Sequence, residues 1–153
     1  MSATRQSSLD LQKRLLSIPK EIVAALRAPL VKSAEEVADD ARTLANAHRR
    51  TGKLADSIEA TGPNEITPAY AADGGRRTAG DLQSFVTAGS PEARQGHLLE
   101  FGTEERHHKD GGSTGKMPET PFLLPAWRLN KPRIERRLKR AVTSAIKKAA
   151  QND

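Results

Sequence analysis

Three of the five aromatic side chains in this 153-residue chain fall within residues 97–127, HLLEFGTEERHHKDGGSTGKMPETPFLLPAW. Both ends of that stretch are apolar. Between them, residues 103–117 form a polar segment with Gly111, Gly112 and Gly115 and no apolar side chain before Met117. A connection of this length without structure of its own is uncommon in a compact fold and is usually functional or disordered. The simplest physical arrangement is a clasp. Leu98, Leu99 and Phe101 would pack from one side and Phe122, Leu123 and Leu124 from the other, leaving the intervening loop mobile.

So few aromatics leave the core to Leu, Ile, Val and Ala, and a thin aliphatic core leaves apolar surface for neighbouring subunits to complete. The absence of cysteine excludes disulfides, thiolate metal sites and cysteine nucleophiles. The first twenty residues contain no continuous apolar run of the kind a signal peptide needs, and no stretch approaches the length of a membrane span. The net charge of +6 is unevenly placed. Nine Lys or Arg and one acid, Glu135, lie between Arg128 and Lys148, so the rest of the chain is close to −2. The basicity belongs to one C-terminal segment.

Residues 1–18 read as an N-terminal extension, polar at first and then able to form a short helix over residues 9–16. Pro19 and Glu21 mark a fresh helix start. Ile22, Leu26, Leu30, Ala34, Val37, Ala41 and Leu44 then recur every three or four residues, one apolar stripe on one helix. Pro29 predicts a kink or break over residues 25–28, and Thr51-Gly52 ends the helix. Strands are expected at residues 57–61 and 82–88. Residues 65–73 are ambiguous because Pro68 restricts them to an edge or an irregular piece. Turns fall at residues 62–64 and 73–77. After Pro132, Ile134, Leu138, Ala141, Val142, Ala145, Ile146 and Ala149 make a second helical stripe. The class is α+β: a long kinked N-terminal helix, a small antiparallel sheet of three or four strands, a long mobile loop and a C-terminal amphipathic helix. Residues 19–150 make one domain.

Catalytic constellations are missing. His107, His108, Asp110 and His97 sit in or beside a polar loop without the spacing of converging metal ligands. Glu100 has no partner carboxylate or histidine at a defined offset, as general acid catalysis would need. Its place between Leu99 and Phe101 suits a structural carboxylate, one that accepts backbone N–H groups or forms an intersubunit ion pair. Residues 111–116 depart from the phosphate-loop pattern at Met117. No enzyme activity, metal or cofactor is expected. The basic segment reads either as the solvated face of an amphipathic helix or as a path for phosphate contact without base readout.

The run Leu99-Glu100-Phe101-Gly102-Thr103, a polar loop, and then Pro118-Glu119-Thr120-Pro121-Phe122-Leu123-Leu124-Pro125-Ala126 resembles the gene-ten-like neck, or tail-completion, family of tailed bacteriophages. That family pairs an E-F-G-T element with a P-x-x-P-F-L-x-P-A element. Upstream, Thr51-Gly52-Lys53-Leu54-Ala55-Asp56-Ser57-Ile58 fits its T-G-x-L-x-x-S-I element. The resemblance spans residues 20–150. It implies a structural virion protein, assembled in the host cytoplasm, that forms a homo-oligomeric, sixfold ring at the head–tail junction. The ring would complete the tail for head joining and surround the DNA channel. Implied partners are head-closure or connector proteins, the tail terminator and the tail tube, with non-specific contact to packaged DNA and none to membrane. Contact surfaces would then include Glu100, Phe101, Gly102, Thr103, Phe122, Leu123, Pro125 and Trp127. DNA contact would fall to Arg133, Arg136, Arg137, Lys139 and Arg140. The alternatives are a tail terminator that caps the tube and a non-specific DNA-binding accessory protein.

Overall fold

The computed structural model describes residues 20–48, 51–69 and 75–151. The expected short helix at residues 9–16, the helix start at residues 17–19 and the tip of the 73–77 turn lie outside them. Two long helices dominate: α1 (Lys20–Ala47) and α4 (Leu123–Gln151). Between them come α2 (Lys53–Asp56), β1 (Glu59–Thr61), β2 (Phe85–Thr87), α3 (Gly96–Phe101), β3 (Arg106–His107) and β4 (Ser113–Gly115). The class is α+β. The strands form two separate antiparallel pairs, β1 with β2 and β3 with β4, in place of one sheet of three or four.

Helix α1 runs unbroken through Pro29. A proline in a helix interior leaves a carbonyl one turn back without its bond, yet here the helix continues, and the Ser33 hydroxyl donates to the Pro29 carbonyl at 2.6 Å. The stripe read from the sequence is the buried face. Leu26, Ala34, Val37 and Ala41 are buried, joined by Ala38 and Ala45, while Ile22, Leu30 and Leu44 are half-buried. Small side chains at the contact let α4 lie close, with Ala126 fully buried against them. The two helices run antiparallel, because Asn130 bonds Asp40 whereas Arg137, two turns later, bonds Glu36 and Ser33.

Helix α4 starts at Leu123, nine residues before Pro132, the residue after which the sequence reading placed the second helical stripe. Ile134 and Ala145 are buried as expected, and Leu138, Ala141 and Val142 are half-buried, but Ile146 is exposed.

The β1–β2 ribbon covers one side of the helix pair. Ala60 pairs with Val86 and Thr61 with Phe85. Ile58, just before β1, inserts into the core with Phe122. The ribbon is tied to α1 by Arg42, whose Nε and one terminal guanidinium nitrogen both donate to the Ile58 carbonyl, at 3.1 and 2.7 Å. The ambiguous segment around Ile66 forms an isolated bridge with Thr78. No helix among the described residues is long and apolar enough to cross a membrane.

Candidate functional site

The T-G-x-L-x-x-S-I residues form the turn that delivers β1 to the core. Gly52, at φ 79°, turns the chain into α2, a left-handed conformation that side chains disfavour. Ser57 donates to the Leu54 carbonyl at 2.6 Å and accepts from the Gly89 backbone N–H at 3.1 Å, tying this turn to the end of β2. Ile58 follows directly and is buried.

The clasp exists, but polar groups close it. Glu100, on the last turn of α3, is 7% exposed, and its carboxylate lies across the start of α4. One oxygen accepts the N–H groups of Phe122 and Leu123 at 2.8 and 3.0 Å, and the other accepts that of Leu124 at 2.9 Å. A helix start leaves its first N–H groups without intrahelical partners. Glu100 takes three of them, Pro125 has no N–H to satisfy, and Ala126 makes the first intrahelical bond to the Phe122 carbonyl. Three N–H groups at the start of α4 are thereby satisfied by a residue more than twenty positions upstream. A carboxylate at this end also meets the favourable pole of the helix dipole. Of the two structural roles read for Glu100 from sequence, the acceptor of backbone N–H groups is the one observed within the subunit.

The rest of E-F-G-T locks the same junction. The Thr120 N–H donates to the Leu99 carbonyl, and the Thr103 N–H donates to the Met117 carbonyl at 2.9 Å. The Thr103 hydroxyl accepts the Met117 N–H at 3.1 Å. Gly102 adopts φ 69°, and a Cβ there would stand 2.8 Å from the Glu119 nitrogen and 3.0 Å from the Met117 oxygen. Gly102→Ala is therefore expected to destabilise the subunit by ~1–3 kcal/mol, read as a lower urea midpoint with an unchanged slope.

Residues 103–117 are not a structureless loop. They form the β3–β4 hairpin, with a bulge at Arg106/His107 and a tip closed by His108–Gly112 backbone bonds. Residues 104–116 are nonetheless all exposed. Fast amide exchange over residues 104–116 in the free subunit, slowed on assembly, is the expected result, because no buried apolar group anchors the hairpin. Full protection in the free subunit would contradict it.

The remaining sequence candidates separate by burial. Phe122, 2% exposed, is a core residue packed in one cluster with Ile58, Ala126 and Ile134. Leu123, Pro125, Gly102 and Thr103 are half-buried. Phe101 and Trp127 are 69% and 45% exposed. They line two separate apolar hollows that share Phe85, Val86, Leu123 and Leu124 as lining residues, Phe101 in one and Trp127 in the other. Of the cations, Arg137 turns inward, with one nitrogen on both Glu36 oxygens at 2.7 and 2.8 Å and another on Ser33. Arg133 lies 3.7 Å from Glu36. Arg136, Lys139 and Arg140 are exposed, and the last two border a shallow groove with Thr143, Ser144 and Lys147. Among the described residues no group of three His, Asp or Glu could hold a metal ion.

Sequence reasoning missed Asn130. It is 1% exposed and donates to Asp40 at 2.6 Å and to the Ala126 carbonyl at 3.0 Å, which fixes the register of the two helices. Its signal was present, since it falls between Ala126 and Ile134 at helical spacing on the buried stripe.

The family model described as "Bacteriophage HK97-gp10, putative tail-component" matches residues 10–102. The matched span includes the whole Thr51–Ile58 turn and ends at Gly102, inside the clasp. No curated protein and no solved structure matches the chain.

Proposed function

This chain belongs to the HK97-gp10-like family of phage tail components, and from that premise we propose that it is a structural protein of the phage neck. Copies assemble into a ring, sixfold in our reading, at the head–tail junction. The ring completes the tail for joining and surrounds the DNA channel. The supporting observation is the exposure of Phe101 and Trp127 beside two apolar hollows that share Phe85, Val86, Leu123 and Leu124, apolar surface that the subunit leaves uncovered. Exposed apolar patches rimmed by polar groups mark contact surfaces. Head-closure proteins on one side and the terminator or tube on the other are the proposed neighbours.

The exposed basic side of α4, with Arg136, Lys139 and Arg140, supports a secondary contact with packaged DNA through phosphates alone. Arg137 is excluded from that set by its bonds to Glu36 and Ser33.

Electron microscopy of lysates from a phage lacking this gene tests the assignment. Full heads beside tails of normal length, unjoined, are the expected result. Tubes of uncontrolled length would assign the chain to tail termination instead. A steeply salt-dependent affinity of the free subunit for duplex DNA would favour the accessory-protein reading.

A further inference from the structure

The hollow beside Trp127 encloses about 510 Å³, and no charged side chain lines it among the described residues. Along α4 it runs from Leu123 to Leu138. Leu30 of α1 and Leu138 of α4 share the end away from Trp127, because Arg137 reaches Ser33 there. Past that end the same helix faces continue with Val23, two turns before Leu30, and Val142, one turn after Leu138. Both are half-buried. The apolar surface therefore runs on toward the start of α1.

Residues 1–19 lie outside the described residues and join the fold at Lys20, the end of α1 toward which this surface runs. Their sequence is amphipathic. On a helix, Leu11, Leu15 and Ile18 fall on one side with Leu9 and Leu16 next to them, while Asp10, Lys13 and Arg14 fall opposite. A helix confined to residues 9–16 is too short to hold in water unaided, and burial of its apolar side is what would stabilise it. The family match begins at residue 10 and so takes in most of this segment. The lengths agree as well. Leu30 stands about 15 Å along α1 from Lys20, and a helix over residues 9–16 spans about 12 Å, with residues 17–19 left for the turn.

We propose that residues 9–18 fold back at Pro19 and seat their leucines on the apolar surface between Val23 and Leu30 of α1 and Leu138 and Val142 of α4, in their own subunit. The occupant is this segment because it is tethered at the right end, has the right length, and brings an uncharged ridge to an uncharged surface. A helix of this length stops short of the Trp127 end, which stays free for assembly. The inference is therefore independent of the ring. The folding unit then begins at Leu9 and not at Pro19.

The chain has no cysteine, so Leu9→Cys with Leu138→Cys in the full chain leaves two thiols alone to report their separation. A short bismaleimide added to dilute protein should join them within one chain, giving a monomer-sized adduct with one linker and no free thiol by mass. Adding Leu11→Asp and Leu15→Asp should slow that reaction roughly tenfold, because a carboxylate is costly to bury in an apolar contact. Lys13→Asp, on the opposite side, should leave it unchanged. If Leu138→Cys fails to fold, Val142→Cys takes its place. An adduct that forms only between copies would hand the segment to a neighbour and overturn the proposal. No adduct from either pair would overturn it too. An intramolecular adduct whose rate ignores Leu11→Asp and Leu15→Asp would reflect the tether alone, and the docking would fall.

Discussion

Glu100→Ala is expected to destabilise the free subunit by ~3–5 kcal/mol, more than any other single polar substitution in the clasp. The reason lies in how many groups depend on one side chain. The carboxylate satisfies the N–H groups of Phe122, Leu123 and Leu124 together. Alanine would leave all three as donors without partners at a largely buried helix start. Losing a cap costs up to ~2 kcal/mol, and stranding buried donors adds ~1–3 kcal/mol. For a domain of this size the melting temperature should fall by about 10–15 °C. Glu100→Gln separates the acceptor role from bulk. Its oxygen can still accept from Phe122 and Leu123, while its amide would point a donor at the Leu124 N–H. It should fall between wild type and alanine. A Glu100→Ala protein that melts like wild type would show that the carboxylate serves a neighbour and not α4.

Phe122→Ala is expected to cost ~3–5 kcal/mol, the usual range for truncating a buried Phe, against a total stability of ~5–15 kcal/mol. The ring is 2% exposed and belongs to the cluster that joins α1, α4 and Ile58. Its direction is fixed twice. Pro121 and Pro125 restrict the backbone around it, and Glu100 holds its N–H. Thermal denaturation should show the loss in the isolated subunit, with free tails following as a consequence of poor folding. Phe101→Ala and Trp127→Ala provide the contrast. Both rings are exposed, so those variants should melt as wild type does and fail only in assembly. If Phe122→Ala instead kept wild-type stability and lost only joining, the ring would belong to an interface.

Helix periodicity was legible because it is local. Alanine and leucine at three- and four-residue spacing identify the buried face of α1 whatever it packs against, and Thr51-Gly52 ends that helix by backbone preference alone. The short strands were placed to within a few residues for the same reason. Helix α4 was harder. Its apolar stripe was read only after Pro132, and only the long-range bonds from Glu100 explain why the helix begins at Leu123, with Pro125 tolerated in its first turn. Of the apolar clasp expected from Leu98, Leu99 and Phe101, Leu99 does pack against the cluster that holds Phe122. Phe101, however, faces solvent while Glu100, its neighbour, faces inward and adds a polar closure. Residues 103–117 looked structureless because a hairpin held by backbone bonds between polar residues leaves no hydrophobic pattern to read.

By itself, then, the sequence determined the α+β class, the helical faces, the turn at Thr51–Ile58 and the family, since each depends on residues close together along the chain or on a fixed order of short motifs. Tertiary structure alone decided the rest. It put Glu100 onto a helix start more than twenty residues away, set Asn130 against Asp40, and drew Arg137 out of the basic surface and onto Glu36. It also left Phe101 and Trp127 exposed, each beside its own apolar hollow. Each of these is a pairing between distant segments, and no single segment carries a pattern for its partner. What binds them is the close approach of α1 and α4, which Ala38, Ala41 and Ala126 permit by being small.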